Sequence, residues 1–246
     1  MTTAIIVQAR MSSQRLPGKV MMTLGSKTVL GHVLERCKRV TGADKVCCAI
    51  PESSECDILF AEAERYNAEI FRGSEQDVLR RYYECAKRLK AKNVVRITSD
   101  CPLIDPTVVD GLIDAFRANN ADYASNNYGE TPDGLNVLRS WPHGLDCEVF
   151  TFEMLEMANG EIGGRFAREH VSGAIRNNPN ARKCGLDGPG GAIANHRWTL
   201  DTQTDYEFLA KLFQFLPSAD FSWQTTLSTI ESSPALRKLS LSYINP

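Results

Sequence analysis

The 246-residue sequence contains no apolar run near the roughly 20 residues that a membrane-spanning helix needs. Neither charge is in surplus. Lys and Arg number 28 against 30 Asp and Glu, and a formal net charge of −2 excludes a whole-chain polyanion binder and a solvating acidic tail. Met1 leads through Thr2-Thr3-Ala4 into Ile5-Ile6-Val7 without a basic stretch, so no secretory leader is read and a soluble, cytoplasmic protein is expected. No C-x-x-C pair occurs among the eight cysteines, and the four histidines are scattered. That spacing argues against a disulfide scaffold or a structural zinc, and the thiols are read as reduced. The phosphate-binding glycine loops G-x-x-x-x-G-K-[ST] and G-x-G-x-x-G are also missing. No internal repeat or low-complexity linker divides the chain, so one domain is expected.

What is present is an alternation of two apolar patterns, in a chain whose 43% hydrophobic content suffices for a sizeable core. Ala4-Ile5-Ile6-Val7, Val46-Cys47-Cys48-Ala49-Ile50, Ala68-Glu69-Ile70-Phe71 and Val94-Val95-Arg96-Ile97 read as strands. Between and after them, helical spacing runs through Val29 to Val40, Ile58 to Tyr66, Val78 to Leu89 and Val108 to Phe116. Such strand-helix units imply right-handed crossovers onto a mostly parallel central sheet flanked by helices, an α/β fold. From Asn126 to Gly144 turn formers replace the pattern, giving an excursion. A strand over 148–152 and helices over 152–158 and 166–176 follow, then a Gly/Asn/Pro-rich stretch over 177–194, a strand at Arg197-Trp198-Thr199-Leu200 and a closing helix from Tyr206 to Leu216.

Open parallel sheets bind ligands beyond the carboxyl ends of their strands. The loop after the first strand, Gln8-Ala9-Arg10-Met11-Ser12-Ser13-Gln14-Arg15-Leu16-Pro17-Gly18-Lys19, has three cations, two hydroxyls, a Pro-Gly turn and no acid. Backbone N–H groups, Arg forks and a Lys point charge can together wrap phosphate oxygens. Thr98-Ser99-Asp100-Cys101-Pro102-Leu103-Ile104-Asp105 follows the fourth strand, and Asp201 follows the late one. Asp100 and Asp201 are read as sharing one Mg²⁺ that neutralises a polyphosphate, whereas Asp105 is read as the cap of a helix begun by Pro106.

Three segments carry a resemblance: Ala9-Arg10-x-x-Ser13-x-Arg15-Leu16-Pro17-Gly18-Lys19, Arg72-Gly73-Ser74-x-x-Asp77-Val78-Leu79-x-Arg81-Tyr82, and Thr98 to Asp105. They resemble the cytidylyltransferases that activate sugar acids such as Kdo and sialic acid. Gly144 to Phe150, Arg168-Glu169-His170-Val171 and Arg197 to Thr202 are similar to the SpsF-type spore coat polysaccharide branch. The resemblance implies a nucleotide-diphospho-sugar transferase fold (GT-A, Rossmann-like), CTP as donor, Mg²⁺-dependent nucleotidyl transfer with release of pyrophosphate, and a homodimer. It further implies that Arg10, Arg15 and Lys19 hold the triphosphate with Ser13 nearby, that Ala9 offers backbone groups to the base or ribose, and that Gly73, Ser74 and Asp77 lie near the pyrimidine. Asp100 and Asp201 become the metal ligands, and residues 1–246 one nucleotidyltransferase domain whose excursion at about 126–144 serves acceptor binding or dimerisation.

A sugar-like acceptor is expected to meet His143, Asp146, Glu148, Arg168 and Glu169, with Trp141 and Tyr128 lining a lid. The seven cations between Arg80 and Arg96, against Glu84 alone, are read as a solvated helix face and not as a nucleic-acid surface, with Arg81 and Arg96 nearest the nucleotide motifs. Two other functions fit the same residues: a glycosyltransferase using a preformed nucleotide sugar, and a nucleotide-binding module without turnover. Release of pyrophosphate separates them from a cytidylyltransferase.

Overall fold

The computed structural model describes residues 2–127, 139–161, 164–217 and 220–241. A seven-stranded sheet forms its centre, in the order β5-β4-β1-β6-β8-β7-β9. The strands are β1 (Thr3–Gln8), β4 (Lys45–Pro51), β5 (Glu69–Gly73), β6 (Asn93–Thr98), β7 (Tyr123–Ser125), β8 (Glu148–Thr151) and β9 (Lys183–Gly185), while β2 (Thr23–Leu24) and β3 (Lys27–Thr28) form a separate hairpin. Strands β1, β4, β5 and β6 pair in parallel, and β8 runs antiparallel to both of its neighbours.

The unbroken apolar run of β1 is explained by burial on both faces. Ile5 and Val7 join one core with α1 (Val29–Cys37), α2 (Asp57–Arg65) and α4 (Pro106–Ala118). Ala4 and Ile6 join the opposite core with α3 (Val78–Leu89), α5 (Phe152–Gly160) and α7 (Gly173–Asn177). Asp105 caps α4 as expected, accepting from Thr107 N at 2.8 Å. Its other oxygen accepts from Trp223 N at 2.6 Å and so starts a second helix, α10 (Trp223–Ser232).

The second half departs from the sequence reading in four places. The helix expected over 166–176 is broken into α6 (Arg165–His170) and α7 by Val171. Val171 has φ 60° and ψ −62°, and Ser172 N donates to His170 O at 2.6 Å, a tight γ-turn. The stretch 177–194 carries β9 and the short α8 (Gly191–Ala194). Arg197 to Leu200 is extended chain joined to His143 by a single bridge at Arg197, not a strand. Finally α9 (Gln203–Leu212) does not close the fold, because α10 and α11 (Pro234–Leu241) follow it. The Ser/Thr-rich α10 has little helix propensity. Capping by Ser222 and burial of Thr226 and Ile230 hold it in place.

These late elements build a third core around Trp198, Leu200, Phe208 and Trp141. Trp141, expected in a lid, is buried there: its Nε1 donates to Leu186 O at 2.8 Å and its ring meets Trp223 edge-on. Tyr128 lies outside the described residues, as do residues 129–138 of the excursion. Among the described residues no helix is long and apolar enough to cross a membrane.

Gly144 is where backbone meets backbone, with φ +112° and space for a Cβ only 2.6 Å from Trp198 C. Replacing it by Ala forces the 142–145 and 196–200 segments apart. We expect Gly144→Ala to lower unfolding free energy by about 2–4 kcal/mol, seen as a reduced urea midpoint at unchanged slope. Gly160→Ala, with open space around the new methyl, serves as the control and changes the unfolding free energy by less than about 1 kcal/mol.

Candidate active site

The basic loop after β1 is braced by its own backbone. Ser13 N and Gly18 N both donate to Met11 O, at 2.9 and 3.0 Å, and Gly18 turns with φ 70° into a 3-10 turn, Lys19–Met21. This turn carries Lys19 inward to 9% exposure. Its Nζ donates to Asp100 Oδ2 at 2.7 Å, Leu200 O at 2.7 Å and Asp201 Oδ1 at 2.9 Å. Burial alone lowers the pKa of such an ammonium, but the two carboxylates outweigh it and hold the pKa above its usual value.

Asp201 is the hub of the cluster. Oδ1 also meets Arg15 at 2.9 Å, and Oδ2 accepts from Arg197 at 2.7 Å. Burial pushes the Asp201 carboxyl up, yet Lys19, Arg197 and Arg15 together keep it below the usual range. Its position follows from the start of α9, where Thr202 and Asp205 form a capping box and Asp205 Oδ2 also accepts from Asp201 N at 2.8 Å. Arg197 in turn is fixed by Asp205 at 3.0 Å and donates to His143 Nδ1 at 3.0 Å. That bond places the imidazole proton on Nε2, and burial, with Arg139 and Arg197 nearby, holds the His143 pKa below its usual value despite Asp146.

Two cavities open along the carboxyl ends of the strands. The first, about 860 Å³, is lined by Gln8 to Arg10, Ser12 to Arg15, Lys19, Glu75, Gln76, Arg81, Asp100, Glu169 and Asp201. The second, about 1150 Å³, is lined by Tyr123, Asn127, Arg139, His143, Asp146, Glu148, Ser172 to Ala174 and Arg176 to Asn180. Arg96, Thr98 and His170 belong to both walls, so the two cavities adjoin. At the junction Arg96 donates to Glu148 Oε2 at 2.7 Å, and Tyr123 donates its hydroxyl to Glu148 Oε1 at 2.6 Å. Burial raises the Glu148 carboxyl, but Arg96, Ser172 and Tyr123 bring it below its usual pKa.

The structure therefore brings Ala9, Arg10, Ser13, Arg15, Lys19, Asp100 and Asp201 into one cavity, and His143, Asp146 and Glu148 into the adjoining one. Other expected site residues lie elsewhere. Gly73, Ser74 and Asp77 do not line the first cavity: Asp77 caps α3 and accepts from Arg168 Nε at 2.8 Å, while Ser74 O accepts from Arg81. Arg168 lines neither cavity, and Glu169 faces the first one, where it pairs with Arg10 at 2.9 Å. The cation-rich stretch is not uniformly solvated, since Arg81 is 1% exposed and Arg96 is held inside against Glu148. Glu75 and Gln76 also line the first wall, as do Gln8 and Thr98, which open the basic loop and the Thr98–Asp105 segment but had been given no role. The available signal for Gln8 was a polar residue ending a buried apolar strand.

A sequence profile of the cytidylyltransferase family matches residues 4–233. The chain belongs to the cytidylyltransferase family. It is 31% identical over 216 residues to the spore coat polysaccharide biosynthesis protein SpsF of Bacillus subtilis, covering 85% of each chain. The solved structure of a cytidylyltransferase from Leptospira borgpetersenii superposes with a TM-score of 0.88 at 30% identity, covering 96% of both chains. A synthetase of CMP:2-keto-3-deoxy-manno-octonic acid, solved with CTP, shares the fold at a TM-score of 0.64 and 17% identity, covering 87% of this chain and 99% of that one. This cytidylyltransferase thus has the nucleotide-diphospho-sugar transferase fold and is a nucleotidyltransferase.

The Arg96–Glu148 pair of this cytidylyltransferase yields a pH test. Because the folded pKa of Glu148 lies below its reference value of 4.5, its stabilisation is present above that value and is lost as pH falls through the depressed one. Glu148→Gln leaves Arg96 buried without a counter-ion and is expected to cost about 3 kcal/mol at pH 7. Urea titrations from pH 7 downward should show the difference between variant and wild type shrinking below pH 4.5. A difference independent of pH contradicts the ion-pair account.

Proposed function

We propose that this cytidylyltransferase transfers CMP from CTP to a sugar-acid or sugar-phosphate-like acceptor and releases pyrophosphate, in the assembly of a surface polysaccharide or glycoconjugate. The observation that carries this reading is the convergence of Lys19 on Asp100 and Asp201 at the base of a cavity whose rim is the basic loop. Arg10, Arg15 and Lys19 lie along one cavity wall, where they can bind triphosphate oxygens and offset charge building on departing pyrophosphate. The acceptor then occupies the adjoining cavity, with His143, Asp146 and Glu148 offering hydrogen bonds to its hydroxyls. The shared wall of the two cavities supports an approach of an acceptor oxygen to the α-phosphate in line with the departing pyrophosphate, in which the protein chiefly positions the groups.

The donor set fits a divalent cation. Asp100 and Asp201 are hard carboxylates from separate segments, and Mg²⁺ is commonly held by one or two such groups, waters and substrate phosphates. Asp100 Oδ1 has only a 3.7 Å thiol contact from Cys101, whereas both oxygens of Asp201 are engaged by Lys19, Arg15 and Arg197. Asp100 is therefore the ligand available without rearrangement, and Asp201 would join it once phosphate draws the exposed Arg15 away. Mg²⁺ bound there supplies charge neutralisation on the phosphates. Among the described residues no cluster of three or more His, Cys, Asp or Glu side chains forms a cage, which accords with a cation that the nucleotide helps to hold.

The test is pyrophosphate release from CTP, Mg²⁺ and a panel of sugar acids and sugar phosphates, with products identified by mass spectrometry. We expect Asp100→Asn to reduce kcat by about 10²–10³-fold even at saturating CTP, and Arg15→Ala mainly to raise the KM for CTP by about tenfold. Wild-type rates from Asp100→Asn overturn the metal assignment. CTP bound tightly without product for any acceptor indicates a binding module, and consumption of a preformed nucleotide sugar without pyrophosphate indicates a glycosyltransferase.

A further inference from the structure

Among the described residues four buried side-chain polar atoms have no protein partner: Gln8 Oε1, Arg81 Nε, Arg96 Nε and Trp198 Nε1. Three of them belong to residues lining the first cavity, Gln8, Arg81 and Arg96. An unpaired buried donor or acceptor is expensive, so native proteins reserve such atoms for a ligand, a water or strain. Arg96 is already committed through its NH1 to Glu148 at the cavity junction. Gln8 and Arg81 have no such commitment to a charged group.

Their placement follows from the strand register and from the packing of α3. Gln8 ends β1 on the face of Ala4 and Ile6, and pairs in register with Thr98 of β6. Tyr82 crosses β1 at Ile6, donating its hydroxyl to Ile6 O at 3.1 Å. The start of α3, where Arg81 sits, therefore lies at the Gln8 end of the strand. Arg81 is 1% exposed, and no carboxylate pairs with it among the described residues. Its NH1 donates to Ser74 O, which anchors the guanidinium to the loop before α3. Gly73 makes room for this arrangement, since a Cβ there would lie 3.1 Å from Arg81 Cγ and 2.9 Å from Phe71.

We propose that Gln8 and Arg81 form the base-selecting subsite, Arg81 donating to N3 of cytosine and the Gln8 carbonyl accepting from the exocyclic N4 amine. The inference rests on the reading of this cavity as the CTP site. Cytosine offers an amine donor beside a ring-nitrogen acceptor, whereas uracil offers a carbonyl acceptor beside an N–H donor. A Gln amide can turn to present either oxygen or nitrogen, so it cannot choose between these edges alone. A guanidinium has donors only and cannot be reversed. Arg81 beside N3 admits cytosine and sets the uracil N3–H against another N–H. Gln8 then follows with its oxygen toward N4. Gly73, Ser74 and Asp77 thereby act through the base pocket without touching the base: Ser74 anchors Arg81, Gly73 leaves it space and Asp77 caps its helix.

The experiment is calorimetric binding of CTP, UTP and 3-deazacytidine triphosphate, in which N3 is replaced by C–H, to the full chain and to Gln8→Leu. For the wild type we expect UTP and the 3-deaza analogue each to bind about ten- to hundredfold more weakly than CTP. Gln8→Leu should lose about tenfold in CTP affinity and little in UTP affinity, so the preference narrows. Equal binding of the 3-deaza analogue and CTP overturns the proposal, as does an equal loss for CTP and UTP in a folded Gln8→Leu. If that variant fails to fold, the 3-deaza measurement on the wild type decides alone. A wild-type protein that binds no CTP overturns the nucleotide reading itself, whereas CTP binding without the expected preference overturns only the base-selecting subsite.

Discussion

The site depends on one buried ammonium. Lys19 reaches across 81 residues of sequence to Asp100 and 182 to Asp201, so a single side chain joins the loop after β1, the end of β6 and the segment before α9. At these separations each charge contact amounts to about 6 kcal/mol at an effective dielectric near 20. Desolvation of three ions at several kcal/mol apiece cancels most of that gain. The cluster is therefore poorly explained as a stabilising device and well explained as a positioning one. Because the Lys19 pKa is raised above its 10.5 reference, its attraction is fully present below that value and lost only as pH rises through the folded pKa. Throughout the neutral range the ammonium stays charged and the three segments stay together.

The same reasoning ranks the other cations of the cavity. Arg10 and Glu169 are 43% and 38% exposed, so their pair is worth about 0–1 kcal/mol and a phosphate displaces it easily. Arg15 is 65% exposed and reaches Asp201 from solvent. Lys19 is the least mobile of the three, being buried and held by a backbone carbonyl as well as by two acids. The cavity thus has a fixed cation at its base and two readily released ones at its rim. Such an order suits a polyphosphate that enters from outside and is seated from the surface inward.

How much of this was legible in the sequence varied with the length scale of the cause. Strands β1, β4, β5 and β6 and helices α1 to α4 were readable, because burial on both sheet faces writes unbroken apolar runs and amphipathic helices write periodic ones. The basic loop and Asp100 were readable from their place at strand ends. Asp201 was found for a reason that needed correcting: it follows extended chain, and the capping box of α9, not a strand, fixes it. Asp77 and Arg168, expected as ligand contacts, are paired with each other, a contact between distant segments that no local motif announces. Arg81 was noted only as lying near the nucleotide motifs, and bringing it together with Gln8 needed the register of β1 against β6 and the packing of α3. Those are long-range facts with no local pattern.

The turn at Val171 shows how the two cavities come to share one wall. A β-branched residue at φ 60° and ψ −62° costs on the order of 1–3 kcal/mol and persists only where its surroundings impose it. Here Val171 is fully buried in the core against α3 and α5, so the apolar side chain is fixed before the backbone can relax. A continuous helix through 166–176 would set Glu169 and Ser172 about 60° apart on one face, whereas here Glu169 lines the first cavity, His170 both and Ser172 the second. The γ-turn achieves this within four residues. Ser172 in turn helps to hold Glu148 charged opposite Arg96. The turn at a single buried valine thus links the Arg10–Glu169 rim of one cavity to the Arg96–Glu148 wall of the other, where periodicity predicts one unbroken helix.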